Sequence, residues 1–255
     1  FWTVPKPGEP GSETWTDPEQ VAWRVGGAAL WVTGMYDPIT QTYFVGTGNP
    51  SPMFDPEYRP GDNLYSNAIL AINSQTGNLD WYFQYTPGDY LDYDEVGGHI
   101  IVDEVFQGET RKQLGHFGRN GYYYHLDRTN GQFLSAEQYV EIVDWTTGID
   151  PKTGLPNGYK PGQGLQEYLP GLAPRRGGGP VQMCPHLQGG VNMWPTAYNP
   201  KTKLHYGAGF EGCSEIETIV TVTDEVDLVN GDIFLGGTLS SVGRIEGSIT
   251  AYNVK

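Results

Sequence analysis

The chain has 255 residues, among them 36 glycines, 19 prolines and 13% aromatic residues, and its formal net charge is −15 at pH 7. This acidity disfavours nucleic acid as a partner, because a phosphate backbone would be repelled. No apolar stretch approaches the roughly 20 residues that a membrane helix requires. We therefore expect no membrane-spanning helix in this sequence.

Five short segments, taken in chain order, predict β-hairpin turns. In each, apolar or aromatic residues lead into Asp or Asn, a turn with Thr, Asn or Gly follows, and a second strand-like run comes after it. The Asx side chain accepts hydrogen bonds from the backbone ahead of it, and Gly or Asn tolerates positive φ. The turns lie near Asp37, Asn73, Asp127, Asn199 and Asn253.

The recurrence of these hairpins indicates an all-β fold. Loose repetition at intervals of several tens of residues is typical of a β-propeller built from four-stranded blades. The five turns predict about four or five blades, with a β-sandwich as the alternative. We expect residues 1–255 to form one partial propeller domain, with a Gly- and Pro-rich surface loop inserted at 142–182.

Two cysteines occur, Cys184 and Cys213. Their spacing matches no zinc motif, so from the residues alone they are either two buried thiols or one disulfide.

Several motifs together resemble the pyrroloquinoline-quinone (PQQ) dependent alcohol dehydrogenases, the methanol and ethanol quinoproteins. The resemblance runs over nearly the whole chain and rests on "GGAALWVTGMYDP", "GTGNPSP", "RPGDNLYSN", "GRNGYYYHLDRTNG" and "CPHLQGGVNMWPTAYNPKT". It implies an eight-bladed propeller with tryptophan-docking repeats, of which "AINSQTGNLDW", ending at Trp81, is a good copy. It also implies that this chain is an internal fragment of the large subunit, inactive in isolation and completed by the rest of the propeller or by other subunits.

The resemblance assigns roles to five residues. Trp31 matches the indole floor under the quinone, and Asn192 matches a side chain that hydrogen-bonds this cofactor. Asn49 matches an amide ligand of the active-site metal. Asp92 matches the catalytic aspartate, which also lies against the metal, and Arg119 matches the basic residue that contacts the quinone oxygens and stabilises negative charge on them.

Asp94 follows Asp92 by two residues, and on an extended backbone such residues point to one face. Asp92 and Asp94 could therefore approach a single cation. In the family that the chain resembles, an acid at this position accompanies lanthanide-dependent members. We therefore expect a lanthanide ion, with Ca²⁺ as the alternative.

The function implied is oxidation of a small primary alcohol to an aldehyde. Asp92 would accept the hydroxyl proton while hydride passes to the quinone, and electrons would leave to a cytochrome c. The resemblance further implies a Cys184–Cys213 disulfide and therefore the periplasm, and we expect a homo-oligomer. The alternatives are a non-catalytic propeller scaffold for protein assembly and a quinoprotein that acts on sugars or polyols.

Two departures from the family pattern lie beside the candidate base. Leu91 stands where tryptophan is usual, and Gly97-Gly98 replace a commoner Asn-Glu pair. Both changes predict less tightly packed side chains around the site. By the same resemblance, the glutamate metal ligand and a vicinal cysteine pair would precede the first residue of this sequence.

Overall fold

The computed structural model describes residues 1–220 and 234–255. Apart from two single-turn 3₁₀ helices at Ser12–Thr14 and Ala22–Arg24, the regular elements described are β-strands. No helix in these two ranges has the length and apolarity needed to cross a membrane. The strands are β1 Met35–Asp37, β2 Thr42–Gly46, β3 Ala68–Asn73, β4 Leu79–Gln84, β5 His99–Phe106, β6 Glu109–Phe117, β7 Tyr122–Asp127, β8 Phe133–Gln138, β9 Val181–Met183, β10 Ala197–Asn199, β11 Leu204–Thr218 and β12 Gly237–Asn253.

These strands form three four-stranded antiparallel sheets. The first sheet contains β1 to β4 and the second contains β5 to β8, each in chain order. In the third sheet β12 pairs along nearly the whole of β11, while β10 and β9 pair with the beginning and the end of β11. Chain-ordered antiparallel sheets of four strands have the size and order expected of propeller blades.

The predicted turn hydrogen bonds are present, but the number of turns does not equal the number of blades. The side-chain oxygen of Asp37 accepts the N–H of Ile39, and that of Asn73 accepts the N–H groups of Gln75 and Thr76. However, Asp37 ends β1 and Asn73 ends β3 of the same sheet. A four-stranded blade has several hairpins, so the five turns correspond to three four-stranded sheets in the described residues, where four or five blades were predicted for the chain.

The first two sheets are joined by Arg128, which is 3% exposed. Its Nε donates to Asp37 Oδ2 at 2.7 Å, and its Nη1 donates to the main-chain oxygen of Val102 at 3.0 Å. One continuous core lies between the sheets and includes Phe44 and Leu114. This packing fixes how the ends of neighbouring sheets face one another.

The predicted loop at 142–182 contains no named strand before Val181. It does not lie wholly at the surface, because Trp145 and Tyr168 are buried in the main core cluster. The indole Nε1 of Trp145 donates to the main-chain oxygen of Asn120 at 2.9 Å. The loop therefore packs against and stabilises the turn that follows β6, where Arg119 lies.

Candidate functional site

The segment that carries the two acids is shaped by Asp89. Its buried carboxylate accepts the N–H of Leu91 at 3.0 Å and that of Tyr93 at 3.2 Å. Asp92 then adopts φ of 62°, a left-handed conformation that Asp tolerates better than most residues. The extended backbone expected at Asp92 is therefore absent, because the Asp89 turn bends the chain there.

Tyr93 lies between the two acids in sequence but points away from them. Its hydroxyl donates to the main-chain oxygen of Pro185 at 2.8 Å, and its ring is fully buried. The side chains of Asp92 and Asp94 are left to converge on one partner.

That partner is Arg119, which follows β6. Its Nη1 donates to Asp94 Oδ2 at 2.7 Å, and its Nη2 lies 3.4 Å from Asp92 Oδ2. The exposed fractions of the three side chains are 4% for Arg119, 11% for Asp92 and 10% for Asp94. Two buried acids and one guanidinium thus form a compact charged cluster.

Leu187 supplies the other partner of Arg119. Its main-chain oxygen accepts from Nε at 3.0 Å and from Nη2 at 2.5 Å. Gly189 allows this approach, because a Cβ atom there would lie only 2.4 Å from Cγ of Arg119. A guanidinium held by a carbonyl and two carboxylates has little rotational freedom.

Asn49 meets the cluster through its main chain, whose N–H donates to Asp94 Oδ1 at 2.5 Å. Its side-chain Nδ2 donates to the main-chain oxygen of Pro50 at 2.9 Å. Among the described residues no donor contacts Oδ1 of Asn49. This amide oxygen is therefore free to accept a ligand beside Asp94.

Trp31 borders the same site. A Cβ atom placed on Gly48 would lie 2.8 Å from Asp94 Oδ1 and 3.3 Å from Nε1 of Trp31, so the indole edge and the carboxylate flank one glycine. The side chain of Trp31 is 43% exposed. An open indole next to a charged cluster offers a flat surface for stacking.

Asn192 lies on the loop that also carries Leu187. It is 6% exposed, and its Nδ2 donates to Gln188 Oε1 at 3.1 Å. Its Oδ1 is buried without a hydrogen-bond partner in the described residues. No hydrogen bond joins Asn192 to Asp92 or Arg119 in the described residues.

The loop 184–192 is anchored by a disulfide between Cys184 and Cys213, as predicted. Next to this bond, the hydroxyl of Ser214 accepts the main-chain N–H of Leu187 at 2.9 Å. The disulfide and this hydrogen bond fix the loop against β11 and so fix the carbonyl that holds Arg119.

Sequence reasoning missed Glu95, although the run "LDYDEV" showed a third acid. Its Oε2 accepts the main-chain N–H of Arg119 at 3.1 Å and lies 2.6 Å from Nε2 of His116. Burial raises the pKa of Glu95 well above its ordinary value and lowers the pKa of His116 well below its own. Both shifts favour a pair in which neither group is charged.

Asp92 has an unusual pKa for a carboxylic acid. Burial, which penalises the charged form, raises it to about 8, against the lowering effect of the Arg119 guanidinium, and the neighbouring Asp94 raises it further. A group of this kind changes its protonation state near neutral pH and is suited to proton transfer.

The fit to a metal ion is partial in the described residues. They contain no group of three or more His, Cys, Asp or Glu side chains in metal-binding geometry. Asp92, Asp94 and Asn49 nevertheless provide two carboxylates and one amide oxygen, the hard donors that Ca²⁺ and larger trivalent ions prefer. Such ions take six to eight oxygens, so these three residues supply part of a coordination shell.

The fit to a flat quinone is better defined. The open indole of Trp31, the fixed donors of Arg119 and the unpartnered buried oxygen of Asn192 offer a stacking surface, cationic donors and a free acceptor. A buried polar atom without a partner is costly, and a bound polar ligand would relieve that cost.

Comparison with known proteins identifies the family of the chain. Residues 1–141 match the family model described as "PQQ: Glucose/ethanol/alcohol dehydrogenase, beta-propeller domain". The dehydrogenase XoxF of Paracoccus denitrificans is 36% identical over 221 residues, which are 86% of this chain and 35% of that protein. A lanthanide-dependent methanol dehydrogenase of Methylorubrum extorquens is 35% identical over 231 residues, which are 89% of this chain and 36% of the relative.

Among solved structures, a europium-containing methanol dehydrogenase matches with a TM-score of 0.78 and 28% identity, over 98% of this chain and 41% of that one. The fold is thus a β-propeller, with the three sheets as its blades. The chain belongs to the PQQ-dependent alcohol dehydrogenase family. It spans about a third of the length of the two curated relatives named above.

Proposed function

We propose that this chain forms part of a quinoprotein that oxidises a small primary alcohol to its aldehyde. The observation that supports this most directly is the convergence of Asp92, Asp94 and Arg119 beside Asn49 and the open face of Trp31. PQQ, when bound, supplies the redox chemistry by accepting a hydride equivalent from the alcohol carbon. The protein residues bind, orient and move the proton.

Asp92 accepts the hydroxyl proton of the alcohol at a carboxylate oxygen. Because burial raises its pKa to about 8, the charged form needs a cation nearby at neutral pH. That pKa already includes the lowering effect of Arg119 at 3.4 Å, so a further cation, such as a bound metal ion, would favour the charged form. After proton transfer, the neutral acid suits a buried position, which makes Asp92 an effective acceptor.

Arg119 fixes the orientation of both acids and presents permanently charged N–H donors to the cofactor. Its hold on the Leu187 carbonyl prevents the guanidinium from turning freely. Fixed donors aimed at a site of growing negative charge stabilise a transition state without reorganisation. Leu91, the residue before Asp92, is 1% exposed and belongs to the main core cluster, so one side of this segment is held in the core.

Asn49, Asp92 and Asp94 would hold the metal ion through oxygen atoms. A multivalent cation there would act as a Lewis acid and would favour the carboxylate form of Asp92. The additional charge of Asp94 offsets the additional positive charge of a trivalent ion, so we propose a lanthanide in preference to Ca²⁺. The name of the Methylorubrum extorquens relative is consistent with this preference.

We also propose a periplasmic location and a cytochrome c as the electron acceptor. The Cys184–Cys213 disulfide supports the first, because such bonds persist in oxidising compartments. The second is suggested by the family assignment, since the electrons removed from the alcohol need an acceptor outside this chain.

The test uses the full-length protein that carries this chain, purified with PQQ and La³⁺. We expect a near-ultraviolet absorbance band from bound quinone and dye-linked activity with methanol or ethanol. Greater activity with glucose or a polyol would instead support a sugar-oxidising quinoprotein. Metal-loaded protein with neither the quinone band nor activity would reject the enzyme and leave a propeller scaffold.

A further inference from the structure

Glu95 takes no part in the chemistry proposed above, yet its carboxyl group is completely buried beside the charged cluster. It lies next to Asp94 in sequence, and its Oε2 accepts the main-chain N–H of Arg119 at 3.1 Å. One side chain therefore connects the segment that carries the two acids to the backbone of their shared partner.

The far side of this carboxyl group is fixed by His116 on β6, whose Nε2 lies 2.6 Å from the same oxygen. The His116 ring stacks on His99 of β5, with centroids 3.6 Å apart and an angle of 7° between the planes. The hydroxyl of Tyr85 lies 3.2 Å from Nε2 of His99. The carboxyl group is thus attached to a rigid aromatic stack of the second sheet.

The guanidinium of Arg119 must reach Asp94 and Asp92 together, at 2.7 and 3.4 Å. This requires a fixed separation between the backbone of residues 92–95 and that of Arg119. Glu95 spans that separation. Resting on the function proposed above, we propose that Glu95 is a positioning residue that holds the main chain of Arg119, so that one guanidinium engages both acids.

A buried acid could instead serve only the packing of the second sheet. The chain offers a matched example of such a role in Gln113, whose Oε1 lies 2.8 Å from Nδ1 of His125. Both side chains are at most 1% exposed and belong to β6 and β7. No hydrogen bond joins Gln113 to Arg119 in the described residues, so Gln113→Ala is the control for general loosening of the sheet.

The experiment follows the Nε–H groups of arginine by NMR in the full-length protein labelled at arginine nitrogen, with Arg119→Ala to assign the signal. Arg59 and Arg128 are internal references, because each is buried with Nε bonded to an acceptor at 2.7 Å. In Glu95→Ala we expect hydrogen exchange at Arg119 Nε to accelerate about tenfold, the effect of one lost hydrogen bond. The two references should be unchanged.

Glu95→Gln keeps an oxygen acceptor and should protect Arg119 nearly as well as Glu95, while Gln113→Ala should leave Arg119 unaffected. Unchanged exchange at Arg119 in Glu95→Ala would overturn the proposal, as would equal acceleration at all three arginines or a Glu95→Gln variant as unprotected as Glu95→Ala. The readout needs no turnover. Absence of enzyme activity in the unaltered protein would therefore reject the proposed function without changing the result for Glu95.

Discussion

Nη1 of Arg119 lies 2.7 Å from Oδ2 of Asp94, and the two side chains are 4% and 10% exposed. The other oxygen of Asp94 accepts the main-chain N–H of Asn49 at 2.5 Å. Asp94 thus joins the guanidinium to the turn that carries the candidate amide ligand. Because a buried charge without its partner is costly, each member of this cluster depends on the others.

Replacing Arg119 with lysine tests the importance of the planar donor group. Lysine keeps the charge but cannot bond two carboxylates and the Leu187 carbonyl in one fixed geometry. We expect kcat of the full-length, PQQ- and metal-loaded protein to fall by about 10²-fold, the effect of losing one preorganised donor. Steady-state dye-linked kinetics would measure it.

Arg128→Lys is the matched control for that change. Arg128 is equally buried and also pairs with two acids, Asp37 and Asp103, but it joins two sheets away from the cluster. The Arg128→Lys variant should have a lower free energy of unfolding and a nearly unchanged kcat. Equal losses of kcat in the two variants would contradict the assigned role of Arg119.

Substitution of Asp94 by asparagine tests the choice of metal. The amide retains an acceptor for the Asn49 N–H but removes one negative charge from the donor set. Since charge count tunes cation affinity, we expect affinity for Tb³⁺, followed by its luminescence, to fall at least about tenfold, and affinity for Ca²⁺ to fall less. Asp103→Asn, beside Arg128, is the control. Equal losses for both ions would exclude Asp94 as a lanthanide determinant.

The sequence predicted the local turns well, because an Asx oxygen and its backbone donors are neighbours in the chain. Asp37 and Asn73 form the expected turns. The number of blades required knowledge of which strands pair, and that depends on long-range packing between β2 and β3. Turn signals alone therefore do not give the number of blades.

The candidate site followed from a family pattern, which named side chains but not the backbone around them. The positive φ of Asp92 and the carbonyl of Leu187 could not be predicted, since neither is specified by residue type. Glu95 was visible as an acid, but its position under Arg119 depends on how β5 and β6 meet the segment at 92–95. The roles of the site residues themselves stay predictions.

Removal of the Cys184–Cys213 disulfide should destabilise the protein. The bond closes a loop with a sequence separation of 29 residues, and freeing such a loop raises the entropy of the unfolded chain. We expect a paired Cys184→Ser and Cys213→Ser variant to lose about 2–4 kcal/mol of unfolding free energy, measured by urea denaturation. Reductant should produce the same loss in the unaltered protein and none in the variant. Identical unfolding curves for fully reduced and oxidised protein would contradict the prediction.

Acid should destabilise the second sheet through His125. Burial lowers its pKa to about 4, whereas the unfolded residue titrates near 6.5. Between these values the unfolded chain binds a proton that the folded protein excludes. Stability is therefore fully present above about pH 6.5 and falls as pH decreases, by up to about 1.4 kcal/mol per pH unit.

The variant His125→Gln isolates this effect from the other titrating groups. Its unfolding free energy, measured by urea denaturation across the same pH range, should lack this component, so the advantage of the unaltered protein over the variant shrinks as pH falls below 6.5. His205→Gln is a second test of the same effect, because burial lowers the pKa of His205 to about 3. The stability that His205 contributes should therefore keep falling down to about pH 3. Parallel pH profiles for the unaltered protein and His125→Gln would show that His125 is protonated equally in the folded and unfolded states, and would contradict the prediction.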